Sequence, residues 1–358
     1  MFSIVFITNS ISFGGAEKML CFIASELAKR GHRISIINRN TMTNSSTYER
    51  SMPENVSYNL LNAEKKWQQV MAIKKIAKKV NADIIIGFTN YPNFMAKIAG
   101  KMLHIPSIMS ERGDPSRTIS HSWQGKFILS VINRSSGGVF QTDGAMKFYG
   151  KCLQKRGIVI PNPIFIDGEV PVVDYEKSEK SVVSVGRFDN TQKRYDIMLN
   201  AFKLFSDRHP EYILKLYGSG PDEELVRKIV HDLNLNDKVR FMGLTTKPMQ
   251  DIADSGMFLI TSDYEGISNS LLEAMAVGLP CVSTDHTPGG ARLLIQDHEN
   301  GLLAPIGDYE RLADAMCEFA DNPQLAKKCG KNAKDVVNRF APERIIDMWE
   351  SYIKSVVE

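Results

Sequence analysis

Apolar residues occur along the chain in two kinds of segment. Short runs rich in Val, Ile and Phe alternate with helix-length segments whose apolar residues recur every three or four positions. This alternation is typical of a parallel β-sheet covered by helices on both faces, so we predict an α/β fold. The predicted strands lie at 2–8, 33–38, 83–88, 107–110, 138–142 and 158–160 in the first half, and at 181–186, 212–217, 239–241, 257–261 and 280–283 in the second.

The alternation stops once, around Pro161-Asn162-Pro163. The segment 164–180 that follows has mixed charge and shows no clear periodicity. A chain of 358 residues is long enough for two domains at about 150 residues each. We therefore predict two doubly wound domains in tandem, over 1–168 and 169–340, with a final helix in 341–358.

Composition excludes several classes of protein. With 43% hydrophobic and 24% charged residues, the chain has ordinary globular usage and is not disordered as a whole. No stretch approaches the ~18 to 20 consecutive apolar residues of a membrane-spanning helix, and the apolar opening 1–7 lacks the basic flank of a signal peptide. The five cysteines form no Cys-x-x-Cys pair, so neither a disulfide framework nor a zinc site is predicted. We expect a cytosolic protein.

The net charge of +3 hides an asymmetry between the two halves. Residues 1–168 contain 22 Lys or Arg against 10 Asp or Glu, whereas residues 169–358 contain 22 against 31. The first half is therefore strongly basic and the second half acidic.

The loop after the first predicted strand ends in Gly14-Gly15, where a helix begins. Glycines there let a ligand approach the backbone, and the free N–H groups of the first helical turn attract anions. The loop matches neither the dinucleotide fingerprint nor a phosphate-binding Walker loop. A purely structural turn explains it equally well.

A second candidate follows the first strand of the second domain. Arg187 and Lys193 lie six residues apart on a predicted loop at the carboxyl end of that strand. Two such cations suit a diphosphate held from two directions. The alternative is a solvated loop with ordinary charges.

The densest group of candidate functional residues spans 263–276. Ser268, Asn269 and Ser270 fall at a predicted helix N-terminus, which is a natural seat for a phosphate. Glu265 precedes this helix and Glu273 lies about one turn inside it, and carboxylates suit the hydroxyl groups of a ribose or a sugar. The alternative is an ordinary helix cap with a carboxylate in the first turn.

Five motifs in this order make the chain similar to a known family. They are Gly186-Arg187 with Lys193, Tyr217-Gly218-Ser219-Gly220-Pro221, Phe241-Met242-Gly243, the Glu-x7-Glu pair Glu265 and Glu273, and Asn300-Gly301-Leu302-Leu303. With them the second half resembles glycosyltransferase family 4. Gly14-Gly15-Ala16-Glu17 and Val159-Ile160-Pro161-Asn162-Pro163 extend a looser resemblance to the first half.

The resemblance implies the GT-B fold. In that fold two Rossmann-like domains face a central cleft, and a C-terminal helix crosses back to the first domain. It also implies retention of configuration at the anomeric carbon and a nucleotide-sugar donor bound mainly by the second domain.

On this resemblance, Arg187 and Lys193 hold the donor diphosphate, Glu273 binds the ribose and Glu265 binds hydroxyls of the donor sugar. The other donor-binding candidates are Gly266, Ser268, Asn269, Ser270 and Leu271 around the phosphate and sugar, Gly218 and Leu244 near the base, and Gly14 and Gly15 against the diphosphate.

The leaving diphosphate gains negative charge as its bond to the sugar breaks, so fixed cations stabilise the transition state. A divalent metal ion would do the same. The chain contains no Asp-x-Asp pair. We therefore expect that Arg187 and Lys193 replace a metal, with neither metal nor cofactor required.

The first domain offers Ser110-Glu111-Arg112-Gly113 after a predicted strand. Members of the family often carry a His or Arg here, near the donor sugar and the acceptor, and this motif has no His. Glu111 and Arg112 are therefore our catalytic candidates on the acceptor side.

One predicted helix of the first domain is crowded with lysines. They are Lys65, Lys66, Lys74, Lys75, Lys78 and Lys79. The helix is either a solvated face over an apolar stripe or a surface that docks on anionic lipid, where each Lys contributes about 1 kcal/mol. Nucleic acid is the rival partner, but no nucleic-acid-binding module is recognisable.

The resemblance to glycosyltransferase family 4 implies a retaining transferase that moves a sugar from a nucleotide-sugar, with UDP favoured because it is commoner in the family. With the charge pattern and the missing Asp-x-Asp pair, we expect it to be metal-independent and to act on a glycan or a polyprenyl-diphosphate-linked acceptor. We expect it in the cytoplasm, peripheral on the inner face of the cell membrane. Two alternatives stay open: a transferase with a soluble small-molecule or protein acceptor, and a catalytically silent GT-B subunit that binds a partner.

Overall fold

Two parallel sheets organise the chain, each in its own unit. The computed structural model describes residues 1–10, 15–39, 55–61, 63, 65–166 and 168–358. Residues 1–162 and 343–358 belong to unit 1, and residues 163–342 belong to unit 2. With these boundaries the formal net charge is +11 for unit 1 and −8 for unit 2.

Unit 1 contains a seven-stranded parallel sheet in the order β3-β2-β1-β4-β5-β6-β7. Its strands are β1 (Ser3–Thr8), β2 (Arg33–Asn38), β3 (Val56–Leu60), β4 (Ile84–Phe88), β5 (Ser107–Ser110), β6 (Gly137–Phe140) and β7 (Gly157–Val159). Its helices include α1 (Gly15–Lys29), α2 (Lys66–Lys79), α3 (Asn90–Leu103), α4 (Pro115–Thr118), α5 (Trp123–Ile132), α6 (Asp143–Phe148) and α7 (Lys151–Gln154).

Alternate residues of the central strands face opposite layers of helices. Ile4 and Phe6 pack in one apolar cluster with α1, whereas Val5 and Ile7 pack in another with α2 and α3. Since both faces are covered, β1 is apolar at nearly every position. This explains why continuous apolar runs predicted these strands correctly.

Unit 2 repeats the architecture with six strands in the order β10-β9-β8-β11-β12-β13. The strands are β8 (Ser181–Val185), β9 (Ile213–Tyr217), β10 (Val239–Gly243), β11 (Met257–Ile260), β12 (Cys281–Thr284) and β13 (Leu302–Ala304). The helices are α8 (Asn190–Lys193), α9 (Tyr195–Arg208), α10 (Glu223–Asp232), α11 (Pro248–Ile252), α12 (Asn269–Val277), α13 (Gly290–Leu294), α14 (Tyr309–Asp321), α15 (Pro323–Ala333) and α16 (Val336–Arg339).

The last helix, α17 (Pro342–Val357), packs within unit 1 from Glu343 onward. Trp349 is fully buried and stacks on Phe88 with 6.0 Å between ring centroids. The Tyr352 hydroxyl accepts a hydrogen bond of 2.8 Å from the backbone N–H of Gly138. These contacts join the end of the chain to the sheet of unit 1.

The unit boundary lies at 162/163, six residues before the predicted one at 168/169. Ile164 explains the shift, because its backbone N–H donates to the carbonyl of Phe340 and its side chain lies in an apolar cluster of unit 2. Strands β3 and β13 were not predicted from the sequence. Both lie at sheet edges; β3 has mixed polarity and is partly exposed, and β13 is only three residues long.

Candidate functional site

The strand order of unit 2 reverses between β8 and β11, and the loops after these two strands carry most of the predicted donor site. In a doubly wound sheet, ligands bind beyond the carboxyl ends of the strands at this reversal. Arg187 follows β8 and is exposed, whereas Glu265 follows β11. The fold therefore brings these two loops to the same edge of one sheet.

Lys193 lies in a short helical turn, not in the loop predicted for it. Asp189 caps this turn by accepting hydrogen bonds from the N–H groups of Thr191 and Gln192. Hydrogen bonds from Thr191 are the main reason that the pKa of Asp189 is low, and Arg187 adds to the effect. The cap fixes where Lys193, the last residue of the turn, projects.

Lys193 forms an ion pair with Glu265 between the segments that follow β8 and β11, where the strand order reverses. Its ammonium donates to Oε1 of Glu265, which also accepts a hydrogen bond of 3.1 Å from the Ser262 hydroxyl. The side chains of Lys193 and Glu265 are 17% and 12% exposed. The two predicted site residues thus meet, nearly desolvated, although 72 positions separate them.

Burial alone would raise the pKa of the Glu265 carboxyl. The charge and hydrogen bond of Lys193 outweigh burial, with smaller contributions from His286 and Ser262, so the pKa is lowered. The carboxylate is therefore ionised at neutral pH and can accept hydrogen bonds.

Arg194 holds the turn that carries Lys193. It adopts a left-handed backbone with φ of 52°, which is costly for a residue with a side chain. Its guanidinium binds Asp196 at 2.8 Å and Asp263 at 2.9 Å. The Thr261 hydroxyl lies 2.8 Å from the carbonyl oxygen of Lys193. These bonds join the two loops and maintain the strained turn.

His286 follows β12, lies beside this pair and is completely buried. Neither ring nitrogen has a hydrogen-bond partner within the described part of the chain. Burial lowers the pKa of His286; Glu265 opposes this shift and Lys193 adds to it. His286 was not among the predicted site residues. A polar pair, Asp285-His286, directly after a strand was the signal that could have found it.

Helix α12 begins where the sequence places the phosphate seat. The Ser268 hydroxyl caps it by accepting from the N–H of Leu271, and Ser270 lies 3.2 Å from the same hydroxyl. Asn269 is the first helical residue, and Glu273 is half-buried one turn later. The remaining first-turn N–H groups and the helix dipole favour an anion at this end.

Gly218 permits a close approach of two backbones beside Arg187. It has φ of 140°, and a Cβ there would lie 1.9 Å from the carbonyl oxygen of Gly186. A similar approach joins Gly266 and Gly290, where a Cβ on Gly290 would lie 1.7 Å from the carbonyl oxygen of Gly266. Leu244, predicted near the base, is 78% exposed.

In unit 1, Glu111 follows β5 and is almost fully buried. Its carboxylate accepts a hydrogen bond of 2.6 Å from the Tyr149 hydroxyl, and others from the N–H groups of Arg112 and Gly113. Burial raises the pKa of Glu111, and these hydrogen bonds only partly oppose the rise. Burial also raises the pKa of Tyr149, the more so because it faces Glu111.

Arg112 is a buried cation with spare donors. Its Nη2 donates to Oδ1 of Asn162, which also accepts a hydrogen bond of 2.6 Å from Gln141. Its Nε and Nη1 have no partner among the described residues. Burial lowers the pKa of Arg112 to about 9, so the guanidinium remains charged at neutral pH. Such a group can bind an anion or an oxygen-rich ligand.

The structure describes one residue of the predicted Gly14-Gly15 pair and all of the lysine-rich helix α2. Gly15 is the first residue of α1, as the sequence suggested, whereas Gly14 lies outside the described residues. The lysines of α2 are mostly exposed, and this helix buries Val70, Ile73 and Ala77. No helix in the described part of the chain is both long and apolar enough to span a membrane.

Two family models match the chain, one in each half. Residues 13–167 match the family model described as Glycosyltransferase Family 4, and residues 170–336 match the one described as Glycosyl transferases group 1.

Several bacterial proteins resemble the whole chain. A lipopolysaccharide core biosynthesis glycosyltransferase, LpsE of Rhizobium meliloti, is 26% identical over 96% of both chains. A Campylobacter jejuni α-1,4-N-acetyl-D-galactosaminyltransferase, whose name includes an undecaprenol-linked glycan, is 24% identical over 99% of both.

Solved structures share the fold of the whole chain. Anabaena HepE in complex with UDP-glucose superposes with a TM-score of 0.83 at 19% identity, covering 99% of this chain and 100% of that one. The lipopolysaccharide outer core galactosyltransferase WaaB gives 0.80 at 20% identity, covering 99% of each. The expected GT-B fold is confirmed.

Proposed function

The chain belongs to the glycosyltransferase family 4 enzymes with the GT-B fold, and we propose that it is a retaining transferase that moves a sugar from a UDP-sugar to a hydroxyl group of a lipid-linked or polysaccharide acceptor. The observation that carries this proposal is the Lys193–Glu265 pair at the strand-order reversal of unit 2, beside the N-terminus of α12. A chain that had lost catalysis would have no need to keep a cation and a carboxylate desolvated there.

In this proposal the donor diphosphate takes Lys193 from Glu265. Arg187, Lys193 and the first turn of α12 then face the oxygens that gain negative charge as the bond to the sugar breaks. Glu265, released from its cation, accepts hydrogen bonds from sugar hydroxyls, while Glu273 binds the ribose. The cations take the place of a metal ion, so no cofactor is required.

The acceptor side of the proposal rests on unit 1. Arg112 retains free donors in a buried position, and Glu111 beside it is fixed by three hydrogen bonds. We assign them to orienting the acceptor hydroxyl. The leaving phosphate then assists its deprotonation on the same face of the sugar, which yields retention.

The choice of UDP and of a lipid-linked acceptor draws on the relatives. HepE was crystallised with UDP-glucose, and a Campylobacter jejuni relative is named for a diphospho-undecaprenol acceptor. The positive charge of unit 1 suits a diphosphate-linked acceptor at an anionic membrane surface. We place the enzyme in the cytoplasm, peripheral on that membrane. A soluble or protein acceptor, or a silent subunit, is the alternative.

Release of free nucleotide from a panel of UDP- and GDP-sugars tests the function. We expect release with one UDP-sugar, strongly reduced in Lys193→Ala and Glu265→Ala. Lys203→Ala is the matched control, because Lys203 forms an exposed pair with Asp207 elsewhere in unit 2. If the wild-type chain neither binds nor turns over any donor, the proposal that it is a glycosyltransferase is wrong.

Two further measurements separate the finer claims. Proton NMR of the product gives the anomeric configuration, and an inverted product would overturn retention. Activity should be unchanged after chelation with EDTA, and a loss restored by a divalent ion would assign the charge-stabilising role to a metal.

A further inference from the structure

Helix α5 of unit 1 is apolar but poorly buried. Six of its ten residues are large and apolar, yet among them Ile132 alone is buried. Trp123 and Phe127, one turn apart, are 76% and 57% exposed. A helix that covers a sheet normally turns its large apolar residues inward. Two neighbouring exposed aromatic rings indicate a surface that contacts a membrane or another molecule.

These two residues continue into a wider aromatic band. Phe127 lies 6.2 Å from Phe94 of α3, and Phe94 stacks on Tyr91 at 5.7 Å, measured between ring centroids. Lys66 lies over the Tyr91 ring, and the next residue, Trp67, is 64% exposed. The aromatic band is defined as Phe127, Phe94 and Tyr91, whose neighbouring ring centroids lie within 6.2 Å, together with the exposed Trp123 of α5 and Trp67 of α2.

The helices that carry the aromatic band contain Lys but no Asp or Glu, and Lys66 at the start of α2 is the lysine that lies over the Tyr91 ring. Lys126 is exposed between Trp123 and Phe127, and Arg39 lies 4.4 Å from the centre of the Tyr91 ring. Trp and Tyr with flanking cations suit the headgroup layer of a bilayer that contains anionic lipids.

The aromatic band lies at the edge of the sheet that carries the candidate site. Its residues fall near the N-terminal ends of α2, α3 and α5. In a parallel α/β unit these helix ends lie at the carboxyl edge of the strands, where Glu111 and Arg112 follow β5. Asn90, which begins α3, donates a hydrogen bond of 2.9 Å to the carbonyl of Thr118, a residue that follows Arg112 by six positions in the sequence.

We propose that the aromatic band is a membrane-insertion surface that seats unit 1 on an anionic bilayer, with Trp123 and Phe127 entering the headgroup layer. A lipid-borne acceptor then reaches Glu111 and Arg112 along the bilayer surface. The acceptor part rests on the function proposed above. Insertion itself does not, because vesicle binding is measured without donor or acceptor.

Intrinsic fluorescence tests the insertion directly. The chain has three tryptophans: Trp67 and Trp123 in the aromatic band, and Trp349, which is fully buried and serves as an internal control. The probe is a vesicle of phosphatidylcholine and phosphatidylglycerol with brominated acyl chains. We expect quenching of the wild-type protein, largely lost in Trp123→Phe with Trp67→Phe. Absence of quenching in the wild type overturns the proposal.

Co-sedimentation with the same vesicles, unbrominated, tests the aromatic contribution. Trp123→Ser with Phe127→Ser should bind at least about tenfold more weakly, with an unchanged thermal midpoint. Leu225→Ser is the matched control, because Leu225 is an exposed apolar residue of unit 2. Equal binding of the aromatic variant and the wild type overturns insertion. So does binding that high salt abolishes completely, because inserted rings are insensitive to screening.

Two combinations of results separate this inference from the proposed function. Vesicle quenching without turnover of any donor keeps the inference and removes the function. Donor turnover without vesicle quenching keeps the function and removes the inference. Retention on single-stranded DNA that depends on Trp123 and Phe127, without vesicle binding, assigns the aromatic band to nucleic acid and overturns the membrane proposal.

Discussion

Glu265 in unit 2 is largely buried and Glu111 in unit 1 is almost fully buried, and each carboxylate follows a strand of a parallel sheet. Lys193 neutralises Glu265, and its pKa falls below the ordinary value. Neutral donors, the Tyr149 hydroxyl and two backbone N–H groups, bind Glu111, and its pKa rises. The pKa of a glutamate is therefore shifted in opposite directions at the carboxyl edges of the two sheets.

The difference indicates different roles. The partner of Glu265 is a flexible lysine side chain, and in the proposed function a donor diphosphate attracts it away from the carboxylate. The partners of Glu111 are backbone groups and a buried tyrosine that belong to the packing of unit 1. Glu111 is thus a fixed acceptor of hydrogen bonds, and the neighbouring Arg112 is the group with donors left to bind a ligand.

Removing Lys193 should have the largest effect, on both turnover and the free energy of unfolding. We expect Lys193→Met to lower turnover on the order of 10²- to 10³-fold, because charge on the leaving diphosphate is no longer stabilised. It should also lower the free energy of unfolding by about 3 kcal/mol, because Glu265 is left buried without its cation. Nucleotide release and denaturant titration measure the two losses.

The pH dependence of Lys193→Met has a defined sign. Without Lys193, burial raises the pKa of Glu265 above its ordinary value, so protonation stabilises the folded variant. Its deficit in stability relative to wild type should therefore shrink as the pH falls from 7 towards 5. Lys193→Met with Glu265→Gln should recover stability but not turnover. A deficit that is constant with pH would contradict the pairing.

Changing Arg112 should affect transfer and spare donor binding. We expect Arg112→Gln to lower kcat/KM for the acceptor roughly 10- to 100-fold, as loss of a charge-assisted hydrogen bond predicts. Donor affinity, measured by calorimetry, should be unchanged, because Arg112 belongs to unit 1. Arg112→Lys keeps the charge and is the matched control. A loss of donor affinity equal to the loss of transfer would remove Arg112 from the acceptor side.

Removing the Tyr149 hydroxyl tests whether Glu111 is fixed by neutral donors. Tyr149→Phe should lower the free energy of unfolding by about 1–3 kcal/mol at pH 7, because a buried carboxylate loses a hydrogen bond. The pKa of Glu111 then rises further, so the deficit should decrease on acidification. Denaturant titration at pH 7 and pH 5 measures both. An equal deficit at the two pH values would show that Glu111 does not titrate with folding.

The smallest expected effect concerns His286. Its pKa is lowered in the folded protein, so it contributes stability above its ordinary value near 6.5, which is lost as the pH falls towards the lowered pKa. His286→Gln should make stability less dependent on pH below 6.5. Thermal midpoints across that range check this, and identical pH profiles would exclude a buried neutral His286.

Much of the fold could be predicted because its signals are local. Strands covered on both faces are apolar at nearly every position, as in β1 and β4, and helices repeat their apolar residues every three or four positions. The missed strands give a weaker signal, because β3 is partly exposed and of mixed polarity and β13 has only three residues. The two units divide six residues before the predicted domain boundary, because the packing of Ile164 assigns this part of the chain to unit 2.

The sequence by itself determined the two doubly wound domains, the family, and which loops carry polar residues after a strand. Tertiary structure alone decided which of those residues meet. Lys193 and Glu265 are 72 positions apart, Glu111 and Tyr149 are 38 apart, and His286 joins the first pair from a third loop. Local patterning specifies helices and strands, whereas partner choice and proton affinity depend on burial and distance, which exist only in the folded chain.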